Sequence, residues 1–168
     1  MSLAQDIAIL KQIPMLSDFA DDQLRLLAFS AESMDYGNGQ RLFEEDERAD
    51  GGLVITSGTV SLQKRGKDGF YEVNRVGEGT LLGETALLAE NKRPCRAEAV
   101  GLVRIIRIRR ALFKRMIQEY PELAQRLLDV HAARYRQTVA ALRPIGEKMA
   151  ELEQVNAERR RRNDETQS

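Results

Sequence analysis

The feature that most constrains the fold is a run of short apolar segments from Ser33 to Ile108, interrupted at close intervals by turn residues. These turn residues are Gly37-Asn38-Gly39, Asp50-Gly51-Gly52, Gly58, Lys67-Asp68-Gly69 and Gly77-Glu78-Gly79. The pattern is typical of an antiparallel β-sandwich or barrel with tight turns. Lys67-Asp68-Gly69 predicts a hairpin, because Asp-Gly suits a turn with positive φ. The alternating segment Leu102–Ile108 predicts the last strand.

Helices are predicted on both sides of this region. Residues 3–12 and 21–30 place apolar side chains at helical spacing, and Asp21 or Asp22 is the expected N-cap of the second helix. Another helix is predicted from Arg110 to Tyr120, with Pro121 ending it and beginning the next. The fold class is therefore α+β, mainly β, with a sandwich or barrel flanked by N-terminal helices and a long C-terminal helix.

The C-terminal helix carries a heptad pattern. Apolar and polar residues alternate steps of three and four at Leu128, His131, Tyr135, Thr138, Leu142, Ile145, Met149, Leu152 and Asn156. The lower half, from Leu142 to Leu152, favours a parallel homodimer in which Asn156 sets the register. The alternative is a helix that packs on its own domain and continues into solvent. Pro144 is expected to kink or divide the helix.

The stretch from Leu82 to Ala99 has the composition of an anion site. Gly83 lets the backbone approach a ligand closely, and a helix that starts just after it favours an anion at its first turn. Arg93 can clamp a phosphate with its planar guanidinium. Glu84 would repel that phosphate, so a sugar hydroxyl that donates a hydrogen bond is its best partner.

The order Gly83-Glu84-Thr85-Ala86-Leu87, followed by Arg93 nine residues after Glu84, resembles the phosphate-binding cassette of the cyclic-nucleotide-binding domain. That domain occurs in bacterial regulators of the catabolite-activator type, in cyclic-nucleotide-dependent kinases and in gated channels. Other segments match the family in order, namely Tyr36-Gly37-Asn38-Gly39, Asp50 to Gly58 and Gly77-Glu78-Gly79. Asp46 stands where the family usually has a glycine, and Thr80 replaces a usual Asp.

The resemblance implies a jelly-roll sandwich and a division of the chain into three parts. Residues 1–121 would form the nucleotide-binding domain with its N-terminal helices, and residues 122–162 the long helix or dimerisation segment. Residues 163–168 would be a disordered tail.

The resemblance also implies a ligand, cyclic AMP in preference to cyclic GMP, and a set of binding residues. The expected ligand-binding residues are Leu82, Gly83, Glu84, Thr85, Ala86, Arg93, Pro94 and Cys95. Gly83 would approach the ribose-phosphate, Glu84 would accept the ribose 2′-OH, and Arg93 would pair with the cyclic phosphate. Ala86 to Ala89 would form the short helix that faces this phosphate. Purine contacts are expected from the sandwich wall and from Arg134 or Tyr135 on the long helix.

Pro94 departs from the family, which usually has a small residue whose N–H helps to hold the phosphate. Proline has no N–H, so a contact worth about 1–3 kcal/mol is lost. Cys95 offers only a weak donor, and Arg96 is expected on the opposite face of its strand from Arg93. Pro94 also removes the Ser or Thr associated with cyclic GMP, which favours cyclic AMP by default.

Composition excludes several function classes. The 26 basic and 26 acidic residues give zero net charge, which disfavours direct DNA binding. The single cysteine excludes an internal disulfide, and no apolar run suits a membrane span or signal peptide, so the expected location is the cytoplasm. The single histidine, His131, is too few for a metal-binding cupin, and no nucleophile–base set or Walker motif indicates an enzyme. The run Arg159–Arg162 favours a solvated helix end over contact with nucleic acid or membrane.

Three hypotheses remain. The first is a ligand-sensing regulatory module that binds a cyclic nucleotide and relays binding to the C-terminal helix of a homodimer, with an unknown downstream protein as partner. The second is a degenerate member in which Arg93 and Glu84 pair with each other or with surface charges, and which acts as a dimeric interaction scaffold. The third is a transcription regulator, which the family builds with a helix-turn-helix after the long helix. The 22 residues after Gly146 are too few for that unit unless the sequence is a fragment.

Overall fold

The computed structural model describes the backbone of residues 2–166, and within it the side chains of 130, 131, 134 and 158–166 lie outside the described residues. The chain forms two compact units, Met1–Gln125 and Arg126–Ser168. The helices are α1 (Leu3–Gln12), α2 (Asp21–Ser30), α3 (Glu84–Leu88), α4 (Arg110–Glu119) and α5 (Pro121–Thr166). The bounds of α1 and α2 confirm the predicted ranges.

The first helix begins at a reciprocal capping box, and the second begins at one half of such a box. At α1 the Ser2 hydroxyl accepts from Gln5 N–H, and the Gln5 side chain accepts from Ser2 N–H. At α2 the N-cap is Ala20, whose N–H donates to the Gln23 side chain at 2.9 Å. The predicted cap at Asp21 or Asp22 is therefore wrong. Gln23 accepts the hydrogen bond from the N-cap N–H, and both aspartates lie in the first turn, where their negative charges interact favourably with the helix dipole.

Antiparallel strands follow α2. They are β1 (Glu32–Tyr36), β2 (Arg41–Phe43), β3 (Arg48–Ala49), β4 (Gly51–Gly66), β5 (Gly69–Gly77), β6 (Leu81–Leu82), β7 (Asn91–Lys92) and β8 (Arg96–Arg109). The main sheet has the order β1-β8-β4-β5, with β2 paired to β8 and β6 paired to β4, while β3 and β7 form a separate pair. This open antiparallel sandwich of jelly-roll type, flanked by helices, confirms the predicted fold class.

The two long strands β4 and β8 pair from Gly51↔Arg109 to Gln63↔Arg96. A Cβ at Gly51 would lie 2.1 Å from Ile108 O, and one at Gly58 would lie 2.3 Å from Leu102 O, so both glycines allow the strands to approach. The predicted hairpin is confirmed, since β4 and β5 pair up to Gly66↔Gly69. The last strand starts at Arg96, six residues before the predicted start at Leu102.

The interior of the sandwich is a cluster of apolar side chains from both long strands and their neighbours. Its buried members are Phe43, Leu53, Ile55, Val60, Leu82, Cys95, Ala97, Ala99, Val103 and Ile105. The helices add a second buried group, in which the rings of Phe19 and Phe113 stack with centroids 6.2 Å apart. The cassette lies where these elements meet, with Leu82 and Cys95 both belonging to the cluster.

The C-terminal helices meet at Pro121, as predicted. Helix α4 ends at Glu119, and α5 begins at Pro121, where the missing N–H of proline costs nothing. Of the two outcomes predicted for Pro144, a kink or a division of the long helix, the division does not occur, because α5 continues through it to Thr166. Ala140, whose carbonyl loses its usual donor at Pro144, is exposed, so water can replace that donor.

Candidate functional site

The predicted cassette is a tight turn followed by a single helical turn. Gly83 is the N-cap of α3 with φ 79° and ψ 40°, a left-handed conformation that favours glycine. Helix α3 spans Glu84–Leu88, so the predicted helix at Ala86–Ala89 is wrong by two residues at its start and one at its end. The left-handed glycine turns the chain sharply after Leu82, which brings Glu84 and Thr85 into the first turn.

Arg93 is a buried cation with only 6% of its surface exposed. Its Nη2 donates to the carbonyl of Gly51 at 3.0 Å, and its guanidinium carbon lies 4.4 Å from the centroid of the Phe43 ring. Burial lowers the pKa of Arg93, against the opposing effect of the Asp50 and Glu47 charges. Arg93 is therefore a charge that the fold holds at some cost.

The second terminal nitrogen of Arg93 is unsatisfied. Nη1 is buried and has no hydrogen-bond partner among the described residues. It lies beneath the cassette turn, since a Cβ on Gly83 would be 2.2 Å from it. An unpaired buried donor costs free energy. An anionic ligand beside Gly83 would accept a hydrogen bond from Nη1, so the arrangement of Arg93 and Gly83 fits an anion.

A cavity of about 310 Å³ opens at this point. It is lined by Phe43, Leu62, Leu81, Leu82, Gly83, Glu84, Thr85, Asn91, Lys92, Arg93, Pro94 and Cys95. The structure thus brings together all the predicted site residues except Ala86, which is fully buried behind the turn. The lining residues that sequence reasoning missed are Phe43, Leu62, Leu81, Asn91 and Lys92.

Among the residues that line the cavity, Asn91 has a hydrogen-bond partner and Cys95 has a raised pKa. The Asn91 side-chain amide donates to the Thr85 hydroxyl at 2.6 Å, which joins the cassette helix to β7. Burial raises the pKa of Cys95, so this thiol stays protonated and is a weak donor. Pro94, which follows Arg93, is exposed at the rim and brings no N–H to the cavity.

The backbone of Arg93 is anchored by the turn at residues 44–47. Arg93 N–H donates to Glu47 O at 2.8 Å, and Asp46 N–H donates to Arg93 O at 2.9 Å. Asp46 has φ 66°, so the residue that replaces the family glycine adopts the glycine-like conformation. The turn that positions Arg93 therefore carries a small backbone strain.

Arg96 lies outside the cavity lining, as expected, but strand alternation is not the reason, because β8 begins at Arg96 and Arg93 and Cys95 precede it. Its Nε donates to Glu44 Oε2 at 2.8 Å, and its guanidinium carbon lies 3.3 Å from the centroid of the Phe70 ring. The hydrogen bond from Arg96 lowers the pKa of Glu44, with Arg41 assisting. Arg96 thus supports the sandwich and does not replace the donor that Pro94 lacks.

The remaining candidates lie on α5. Tyr135 is exposed over 72% of its surface, whereas the side chains of His131, Arg134 and Arg159–Arg162 lie outside the described residues. Across the part of the chain that the structure describes, no helix has both the length and the apolar character to cross a membrane. Within the same residues, no group of three or more His, Cys, Asp or Glu side chains is arranged to hold a metal ion.

The open jelly roll, the glycine-capped turn and the buried arginine together define a small-ligand-binding domain with an anion subsite. Residues 33–120 match the family model described as "Cyclic nucleotide-binding domain". The chain therefore belongs to the cyclic nucleotide-binding domain family.

Similar proteins agree with this assignment. The cAMP-dependent protein kinase type II regulatory subunit of Drosophila melanogaster is 29% identical over 122 residues, which cover 72% of this chain and 32% of that protein. The chain thus spans about a third of the length of this relative. A cyclic nucleotide-binding-like protein from Brucella abortus has 39% identity and a TM-score of 0.64 over 67% of this chain and 97% of that one. The N-terminal domain of a Streptomyces coelicolor transcriptional regulator has 27% identity and a TM-score of 0.75 over 80% and 94%.

Proposed function

We propose that this chain is a non-catalytic regulatory module that binds cyclic AMP in the cassette and relays binding to its C-terminal helix. The observation that carries the proposal is Arg93, a buried cation whose Nη1 has no partner among the described residues and lies against Gly83. A cyclic phosphate supplies the missing acceptor and neutralises the charge. The cavity volume of about 310 Å³ is at the lower end of the range for small-ligand sites.

The neighbouring residues have complementary roles in this proposal. Gly83 lets the phosphate reach Arg93, since any side chain at residue 83 would collide with Nη1. Glu84 accepts a hydrogen bond from the ribose 2′-OH, which keeps its carboxylate away from the phosphate. The apolar wall formed by Leu62 and Leu82 faces the carbon atoms of the ligand.

Two observations favour cyclic AMP over cyclic GMP. Pro94 offers neither a hydroxyl nor an N–H to a purine substituent. The kinase regulatory subunit that this chain resembles is named for its dependence on cAMP. Pro94 also predicts a modest affinity, because one phosphate donor is missing.

The most direct test compares cyclic AMP, 2′-deoxy cyclic AMP and cyclic GMP by titration calorimetry. Wild-type protein should bind cyclic AMP about ten- to a hundredfold more tightly than the 2′-deoxy compound, because loss of a hydrogen bond to a charged group costs about 1.5–3 kcal/mol. Glu84→Gln should reduce this difference, because the neutral amide oxygen still accepts from the 2′-OH but without the charge. Glu78→Gln, an exposed turn residue outside the cavity, is the matched control. Absence of binding at millimolar cyclic AMP would refute the proposal.

The proposed homodimer uses the apolar stripe of α5. Its large side chains are strongly exposed, with Leu128 at 64%, Leu142 at 56%, Ile145 at 57%, Met149 at 58% and Leu152 at 60%. Exposed stripes of this size on a helix favour pairing with a second copy through the heptad seam.

Sedimentation equilibrium tests the dimer directly. Leu152→Glu, on the seam, should shift the protein to monomer, whereas Gln154→Glu adds the same charge off the seam and should leave the dimer intact. A monomeric wild type, or equal effects of the two variants, would contradict dimerisation through this stripe.

The alternative function is a dimeric scaffold that does not bind nucleotide, and Pro94 is the observation that favours it. It predicts no calorimetric signal with any cyclic nucleotide and a dimer that nucleotide does not alter. In either case we propose a cytoplasmic protein that acts on another protein and not on DNA.

A further inference from the structure

Arg110, the first residue of α4, donates side-chain hydrogen bonds to the end of α3 and to Ala49. Its Nη1 lies within hydrogen-bond distance of three carbonyl oxygens, Ala49 O at 3.2 Å, Ala86 O at 3.4 Å and Ala89 O at 3.1 Å. Two of these carbonyls belong to the C-terminal end of α3, where helical carbonyls have no partner within the helix. The guanidinium also lies 3.7 Å from Glu90, which itself pairs with Arg48 at 2.7 Å.

The same residue holds the chain segment that receives Arg93. Three consecutive carbonyls are used by the two arginines. Ala49 O accepts from the Arg110 side chain, Asp50 O accepts from Arg110 N–H at 2.7 Å, and Gly51 O accepts from Arg93 Nη2 at 3.0 Å. The residues from Ala49 to Gly51 therefore connect the cassette arginine to the first turn of α4 by direct hydrogen bonds.

We propose that Arg110 is a positioning residue that couples the cassette to α4. If Arg93 turns toward a bound phosphate, Gly51 O loses its donor, and a buried carbonyl without a partner is costly. Ala49, Asp50 and Gly51 are consecutive residues, so we expect a shift of the Gly51 carbonyl to displace the neighbouring carbonyls of Asp50 and Ala49, which both bind Arg110. A change in α3 reaches the same guanidinium through Ala86 O and Ala89 O. The response to nucleotide rests on the proposed function, whereas the hold on α3 does not.

The first arm of the test uses the full chain without nucleotide and measures amide hydrogen exchange. The Ala89 amide, which donates to Thr85 O at 3.0 Å, reports on the end of α3. Arg110→Met keeps the apolar stem and removes the donors, so exchange at Ala89 should accelerate about tenfold. Arg110→Lys should give a smaller increase. Arg115→Met, on the same helix with its side chain 68% exposed, is the control and should change nothing at Ala89.

The second arm repeats the measurement with saturating cyclic AMP. In the wild type, exchange should change both in residues 84–89 and in residues 110–119. In Arg110→Met the backbone hydrogen bond from residue 110 to Asp50 O remains, so the change at 84–89 should persist and the change at 110–119 should be clearly smaller than in the wild type, which a merely structural role would not produce. An undiminished response at 110–119 overturns the coupling, and unchanged exchange at Ala89 in the first arm overturns the hold on α3. No nucleotide response in the wild type refutes the proposed function and with it the coupling, while the first arm still decides the hold on α3.

Discussion

Replacement of Arg93 by methionine should separate folding from binding. Methionine keeps an unbranched apolar stem against the Phe43 ring but removes the guanidinium and its charge. Arg93 is 6% exposed, and truncation of a large buried side chain ordinarily costs about 2–5 kcal/mol. For Arg93→Met we expect a smaller loss of stability than this range, because of the contacts and the charge of the guanidinium.

The magnitude follows from the contacts of the guanidinium. The substitution loses the hydrogen bond to Gly51 O, worth about 1.5–3 kcal/mol for a charged donor, and the contact with Phe43, worth about 0.5–2 kcal/mol. The substitution also removes the unpaired Nη1 and the buried charge. This change stabilises the folded state, because burial of an ion costs several kcal/mol. Because these contributions oppose each other, the free energy of unfolding should fall by no more than about 1 kcal/mol, and it can rise.

Urea unfolding and titration calorimetry measure the two halves of this prediction on the same samples. Binding of cyclic AMP should weaken at least a hundredfold, since two charge-assisted hydrogen bonds to the phosphate are worth about 3 kcal/mol or more. Arg96→Met is the matched control, because Arg96 pairs with Glu44 outside the cavity and its loss should leave affinity unchanged. A loss of 3 kcal/mol or more in stability (roughly the middle of the usual range) would contradict this prediction and show that Arg93 is a structural residue.

Three further predictions concern the surroundings of the cavity. Asp46→Gly should raise the free energy of unfolding, measured by urea denaturation, by about 0.5–1 kcal/mol, because Asp46 has φ 66° and glycine adopts this conformation without strain. The hydrogen bond to Arg93 O is kept, since the backbone N–H of residue 46 makes it. A loss of stability would contradict this prediction. Cys95 should react with iodoacetamide far more slowly in the native state than in urea at pH 8, because burial raises its pKa; equal rates would contradict this. Arg96 lowers the pKa of Glu44 below 4.5, so the stability from Glu44 is present above pH 4.5 and is lost as pH falls through the lower folded value. Unfolding measured against pH should therefore show a smaller acid loss in Glu44→Gln than in the wild type.

The elements that could be predicted from the sequence are those with a local cause. The ranges of α1 and α2 follow from the helical spacing of their apolar residues, and the β4–β5 hairpin follows from Lys67-Asp68-Gly69. The early start of β8 at Arg96 could not be predicted in this way. Residues 96–101 gain strand structure by pairing with β4, a contact between distant parts of the chain. Likewise, continuity of α5 through Pro144 depends on water reaching an exposed turn, which a proline rule does not include.

The cavity illustrates the same limit. Gly83, Glu84 and Arg93 could be predicted as site residues from their residue types and spacing. Phe43 and Leu62 could not, because they have the pattern of ordinary strand residues. Phe43 reaches Arg93 because β2 pairs with β8 in the register Phe43↔Ala97. Alternation along a strand shows that such a side chain points inward, but it does not show which charged group will lie above it.

The acceptors that Arg93 and Arg110 use could not be predicted for a related reason. Gly51 O lies 42 residues from Arg93 in sequence, and Ala49 O lies 61 residues from Arg110. A guanidinium has five donors and accepts any carbonyl that the fold brings near, so residue type and spacing do not identify its partner. The two arginines meet at consecutive carbonyls because Gly51 lets β4 pack closely on β8. A side chain at Gly51 should therefore disturb both the binding arginine and the start of α4, because its Cβ would lie 2.1 Å from Ile108 O and 3.0 Å from Arg110 N.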